Sequence, residues 1–186
     1  MTTIAVIVGS VRRESINRRL AEALTRLPAG QGHRFTFVEV GGLPLYNQDD
    51  DKDPPEAAVR LKREVRAADG VLFVTPEYNR SIPGVLKNAL DHGSRPHGDS
   101  AWANKPAGII GTSGGKAGTA MAQQHLRNVL AYLDMPTLAQ PEAFVQWSDA
   151  LVSAEGEIGP GSRAFLDGWM KAFIALVEHH WPPVSG

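Results

Sequence analysis

Short, wholly apolar runs alternate along the chain with segments whose apolar residues recur every three or four positions. Ile4-Ala5-Val6-Ile7-Val8 is apolar throughout and stops at Gly9. A run that short, apolar at every position, predicts a parallel strand buried on both faces. From Ile16 the spacing becomes helical, through Leu20, Leu24 and Leu27, until Pro28 and Gly30 end it. Residues 35–40 form a second strand pattern, and residues 41–55, rich in Gly, Asp and Pro, form a long connection. Ala58, Leu61, Val65 and Ala68 mark a second helix, and Val71–Thr75 a third strand. A third helix begins near Pro83 with Leu86, Ala89 and Leu90 on one face. Ala107–Gly111 is a fourth strand, followed by a long helix carrying Met121, Leu126, Leu130 and Leu133. Thr137-Leu138 and Ala143-Phe144-Val145 together predict a short, interrupted fifth strand. The last helix carries Phe165, Leu166, Trp169, Met170, Phe173, Ile174 and Val177.

Strands alternating with helices give a parallel sheet covered on both faces by right-handed crossovers. Five units in 186 residues fit a single α/β domain spanning residues 1–186. The fold expected is a flavodoxin-like three-layer sandwich, with a five-stranded parallel sheet of order 2-1-3-4-5 and helices on both faces. No repeat or low-complexity segment interrupts it. A net charge of −1 argues against non-specific nucleic-acid binding, which needs a concentrated basic face. The absence of cysteine removes disulfides, thiolate metal sites and a cysteine nucleophile, and no metal site is expected. No apolar stretch reaches the roughly 18 residues of a membrane span, and residues 1–9 lack the basic leader of a signal peptide. A cytoplasmic enzyme or binding domain is the expectation.

In open α/β sheets ligands bind beyond the carboxyl ends of the strands, at the switch in strand order. The loops after strands 1, 3 and 4 are all polar or glycine-rich. Residues 9–17 offer a helix start, whose free amides and dipole favour an anion. Ser10 and Ser15 add hydroxyls, Arg12 a charged fork and Asn17 an amide. The plainer reading is an N-cap at Ser10 or Ser15. Residues 76–84, PEYNRSIPG, are stiffened by Pro76 and Pro83. Tyr78 presents a flat face there, Asn79 an amide, and Glu77 a rim carboxylate. The alternative is a turn with Asn79 in the left-handed region. Residues 111–119, GTSGGKAGT, let a flat ring approach backbone, or form a flexible linker.

Neither nucleotide fingerprint is present. A dinucleotide-binding turn needs glycine where Val11 stands. A phosphate-binding loop of the nucleoside-triphosphatase type needs glycine at Ile110 and Ser or Thr at Ala117.

Three motifs carry a resemblance that covers essentially the whole chain. They are G-S-x-R-x-x-S-x-N-x-x-L at Gly9 to Leu20, P-E-Y-N-x-S-I-P-G-x-L-K-N-A-L-D at Pro76 to Asp91, and T-S-G-G at Thr112 to Gly115. Together the chain resembles the NADPH-dependent FMN reductase family, within its quinone or chromate reductase subgroup. The resemblance implies a non-covalent FMN with its phosphate on Ser10, Arg12, Ser15, Ile16 and Asn17. Its ring would lie on Pro76, Glu77, Tyr78 and Asn79 and contact Thr112, Ser113, Gly114 and Gly115. It implies hydride from NADPH or NADH, and quinones, free flavins, azo compounds or chromate as small-molecule electron acceptors. The chemistry belongs to the flavin, so no catalytic acid or base is expected.

Family members form dimers or tetramers. Arg127 and Glu142 match residues that join subunits across a tetramer interface in the subgroup. Arg80 departs from the aromatic residue some members carry in that network, and two arginines repel unless Glu142 lies between them. A homodimer is therefore expected ahead of a tetramer. Arg80, Ser81, Arg95 and Trp102 are assigned to the mouth, the last two on the expectation that residues 93–105 fold over the cleft. Trp169, Phe173 and Trp181 offer more aromatic bulk than one core face needs, which suits an interface. The rival reading is an FMN electron carrier with no hydride donor of its own. Near-neutral charge counts against it, since carriers use strongly acidic faces of their own to steer to basic partners. A regulator that uses FMN only as a ligand is a third.

Overall fold

The computed structural model of the protein describes residues 1–180, so Trp181 lies outside the described residues. Its five strands are β1 (Thr3–Val8), β2 (Arg34–Val38), β3 (Gly70–Val74), β4 (Ala107–Ser113) and β5 (Phe144–Gln146). They pair in parallel in the order β2-β1-β3-β4-β5. Helices α1 (Ile16–Thr25), α2 (Glu56–Arg66), α3 (Gly84–Gly93), α4 (Ala120–Tyr132) and α5 (Pro160–His180) connect and cover them.

The sheet builds two cores because successive side chains of a strand point to opposite faces. Ile4, Val6 and Val8 of β1 face α1 and α5, where they meet Leu20, Leu24, Trp169 and Phe173. Ala5 and Ile7 face the opposite layer with Leu61, Leu86, Leu90, Leu126 and Leu130 from α2, α3 and α4. All five residues of β3 are buried, which is why the run reads as apolar without alternation. Glycine lets α5 come close. A Cβ on Gly108 of β4 would stand 2.7 Å from the Phe173 ring.

The interruption expected of the fifth strand is present, and two expectations change in detail. The fifth strand is split, with Thr137 bridging Ala107 while Phe144–Gln146 pair with Gly111–Ser113. β4 runs two residues past Gly111, so Thr112 and Ser113 belong to the strand that the loop leaves. Trp169 and Phe173 are core, not an interface: they stack on each other with centroids 6.0 Å apart and are fully buried.

Candidate functional site

The segments after β1, β3 and β4 meet at one edge of the sheet. They enclose a cavity of about 210 Å³ lined by Ser10, Arg12, Ser15, Ile16, Asn17, Pro76, Glu77, Tyr78, Thr112, Ser113 and Gly114. Each segment is built differently, and the differences decide what each side chain is free to do.

The first segment ends in a capped helix. Ser15 precedes α1, and its Oγ accepts from the Arg18 amide at 3.2 Å. The hydroxyl proton remains available, and the amides of Ile16 and Asn17 have no acceptor inside the helix. Arg12 is exposed and makes no ion pair among the described residues, and the Ser10 hydroxyl accepts from its backbone amide. One end of the cavity therefore offers amides, hydroxyls and a guanidinium to an anion.

Asn17 faces elsewhere. Its Nδ2 donates to the Thr112 carbonyl at 2.9 Å, and its Oδ1 accepts from the Thr112 amide at 2.9 Å. The side chain is 1% exposed, so its amide is a clasp between α1 and the end of β4. Its remaining Nδ2 proton is the only part left for an anion.

The second segment is a two-residue hairpin. Tyr78 and Ser81 exchange backbone hydrogen bonds of 2.9 and 3.0 Å. Asn79 and Arg80 between them have φ of 51° and 67°, the paired positive φ of a type I′ turn, which favours Asn at its first central position. Asn79 and Arg80 are thus turn-tip residues, exposed and absent from the cavity wall. Tyr78 lines the wall and is 52% exposed. Ser81 turns toward α4, its Oγ 2.8 Å from His125 Nδ1. Glu77 also turns to α4: its Oε2 accepts from the amides of Met121 and Ala122, 3.0 Å each.

The third segment leaves open space. No atom stands within 4 Å of a Cβ built on Gly114. Thr112 Oγ1 is buried and without a partner in the protein. Gly115 lies just beyond the wall. Ser113 Oγ is bound to the Gly118 carbonyl at 2.5 Å.

Arg95 and Trp102 do not reach this edge, and the physical reason is topological. Residues 93–105 join the end of a helix to the start of a strand, so they run along the opposite edge of the sheet. Trp102 is fully buried; its indole N–H donates to the Leu90 carbonyl at 2.9 Å and its ring lies 6.1 Å from that of Phe73. Arg95 is exposed beside a small cavity shared with Tyr46, Asp51, Lys62 and His92. Its carbonyl accepts from Lys62, which also bonds Asp99 at 2.6 Å. That bond holds the Asp99 carboxyl below its ordinary value. The pair is therefore intact at neutral pH and is lost as pH falls through the lowered value.

Arg127 and Glu142 face each other within the one chain, Nε to Oε1 3.5 Å, and Arg127 also donates to the Leu138 carbonyl at 2.8 Å. Sequence reasoning passed over a neighbouring cavity of about 220 Å³ at the end of β2. Val11, Arg18, Glu39 and Gly41 line it, and it shares Ser10 and Arg12 with the first. Its signal was the strand order, which puts the end of β2 on the same edge as the three loops.

A doubly wound sheet with an anion cradle after its first strand and an open, ring-sized edge belongs to the flavodoxin-like class. The family model for NADPH-dependent FMN reductase matches residues 2–149, and the chain belongs to that family. It is 53% identical to a 2-hydroxy-1,4-benzoquinone reductase of Burkholderia sp over 176 residues, covering 94% of this chain and 96% of the relative. It is 45% identical to a quinone reductase of Pseudomonas putida, covering 95% of each. Among solved structures it superposes on the flavoenzyme NAD(P)H:(acceptor) oxidoreductase FerB of Paracoccus denitrificans with a TM-score of 0.92 and 41% identity. That match covers 97% of this chain and 99% of FerB. The protein is thus an oxidoreductase of the FMN- and NAD(P)H-dependent kind. No described helix is long and apolar enough to cross a membrane.

Proposed function

We propose that this protein reduces quinones with NAD(P)H through an FMN held in the three-loop cavity. One observation carries the assignment of the cavity: its wall has free anion donors at one end and a half-exposed tyrosine and an open glycine at the other. A phosphate joined to a flat heteroaromatic ring matches that division. The quinone reductases among its relatives support the acceptor class. FMN, when bound, supplies the two-electron redox chemistry.

The residues then have separate tasks. The Ser15 hydroxyl, the Ile16 and Asn17 amides and Arg12 hold the phosphate, with Ser10 beside them. Pro76 and Tyr78 support the ring. Beyond the end of β4 the Gly114 and Gly115 amides are offered to the ring's polar edge, the Thr112 amide being committed to Asn17, and such fixed donors favour charge that develops there. Arg80, at the exposed tip of the hairpin, and Ser81 stand beside the entrance, where a cation attracts a phosphorylated donor. Free flavins, azo compounds and chromate are secondary acceptors. A homodimer in the cytoplasm completes this reading; Arg127 and Glu142, paired within the chain, would have to exchange partners to join a wider interface.

Replacing Arg12 by alanine weakens FMN binding by about 1–3 kcal/mol, roughly 5- to 150-fold in Kd. Titrating apoprotein with FMN by flavin fluorescence measures it, and an unchanged Kd removes Arg12 from the cradle. For the reaction, initial rates are measured with NADPH varied at several fixed concentrations of 1,4-benzoquinone. Donor and acceptor using one open face in turn give parallel double-reciprocal lines. Turnover with chromate or free flavin but none with the quinone contradicts the acceptor class.

A further inference from the structure

Glu77 lines the cavity, yet one of its carboxylate oxygens is committed to the protein. Helix α4 starts at Ala120, so the Met121 and Ala122 amides that Glu77 Oε2 accepts belong to its first turn. Amides there have no partner inside a helix and are ordinarily capped by the residue just before it. That residue is Thr119, which makes no cap bond; its buried hydroxyl accepts from Gln123 Nε2 at 3.0 Å instead. The cap comes from a residue more than forty positions upstream. One turn further along α4, His125 meets Ser81 at the other end of the hairpin. The segment from Glu77 to Ser81 is thus fastened to α4 at both of its ends.

We propose that Glu77 is a positioning residue for the FMN ring: it fixes the 76–81 segment against α4 and sets the charge at that wall. This role rests on the FMN reading of the cavity. Two effects meet at the one carboxylate. Its oxygen replaces the missing local cap, so the ring-supporting Tyr78 cannot move without uncapping a helix. Its negative charge offsets the positive end of the α4 dipole, so the wall beside Thr112 and Gly114 is less positive than the bare helix end. A less positive wall disfavours a reduced, anionic ring.

Glutamine keeps the shape, and its amide oxygen accepts the same two N–H groups without the charge. Alanine removes both. Parent, Glu77→Gln and Glu77→Ala are compared by FMN titration, by the flavin midpoint potential against an indicator dye, and by thermal unfolding of the apoprotein. Glu77→Gln is expected to hold FMN within about fivefold of the parent, the worth of one charge at a helix N-terminus, and to raise the midpoint potential. Glu77→Ala is expected to weaken FMN by at least about tenfold. If Glu77→Ala lowers the unfolding temperature but leaves FMN affinity and potential at parent values, Glu77 is a helix cap alone and the role is overturned. A Glu77→Gln potential equal to the parent's overturns the charge effect even if the alanine variant does not fold. A parent chain that fails to bind FMN overturns the reading of the cavity itself, and is seen before any variant is measured.

Discussion

Trp102→Ala lowers the unfolding free energy by about 3–5 kcal/mol, the cost of truncating a large aromatic side chain in a packed core. The indole is fully buried among the α2, α3 and α4 layer and the sheet. A Cβ built on Gly93 would lie 2.4 Å from its ring, so Gly93 is the floor it rests on and α3 cannot close the gap with a side chain. Its N–H also satisfies the Leu90 carbonyl at the end of α3. Urea unfolding followed by circular dichroism reads the loss. The quinone KM of whatever protein remains folded stays at the parent value, because Trp102 is at the far edge of the sheet from the cavity. A shift under 1 kcal/mol together with a raised KM returns Trp102 to the mouth.

Asn17→Ala is the second large effect. It removes both bonds to Thr112 and leaves a buried amide and a buried carbonyl unpaired, at about 1–3 kcal/mol for each buried group. The expected total is about 2–4 kcal/mol, since water entering the opened cavity relieves part of it. The clasp also fixes the first segment against the third, so FMN affinity falls with stability. Asn17→Asp separates the contributions. Its carboxylate still accepts from the Thr112 amide but faces the Thr112 carbonyl oxygen and any phosphate with negative charge. It should therefore bind FMN less well than the alanine variant while unfolding at a similar or higher denaturant concentration. If aspartate binds FMN as tightly as asparagine does, the residue stands away from the phosphate.

Buried strands were legible because a strand covered on both faces has no polar side to show, as in Ile4–Val8 and Val71–Val74. The sheet order followed from the alternation of elements. The loops that carry the site were legible because a turn alone does not require serines, an arginine and a glycine pair at the ends of adjacent strands. Side-chain direction was not legible. Asn17 reads as a phosphate donor by its neighbours, and only the fold brings it against Thr112, far along the chain. Glu77 reads as a rim charge because nothing in PEYN reveals that α4 lacks its own cap. Arg95 and Trp102 were misplaced for a different reason. Polar, glycine-containing loops look alike in sequence, whichever edge of the sheet they join. Connections from helix to strand lie opposite those from strand to helix, and that rule alone would have moved both residues off the mouth.

The central claim is that FMN in this cavity accepts electrons from NAD(P)H and gives them to a quinone. The most direct measurement is the absorbance of the FMN-loaded protein, mixed without oxygen first with NADPH or NADH and then with 1,4-benzoquinone. The oxidised-flavin band should bleach within the mixing time of a stopped-flow instrument with at least one donor and return when the quinone is added. An oxidised spectrum that persists for minutes with both donors contradicts it.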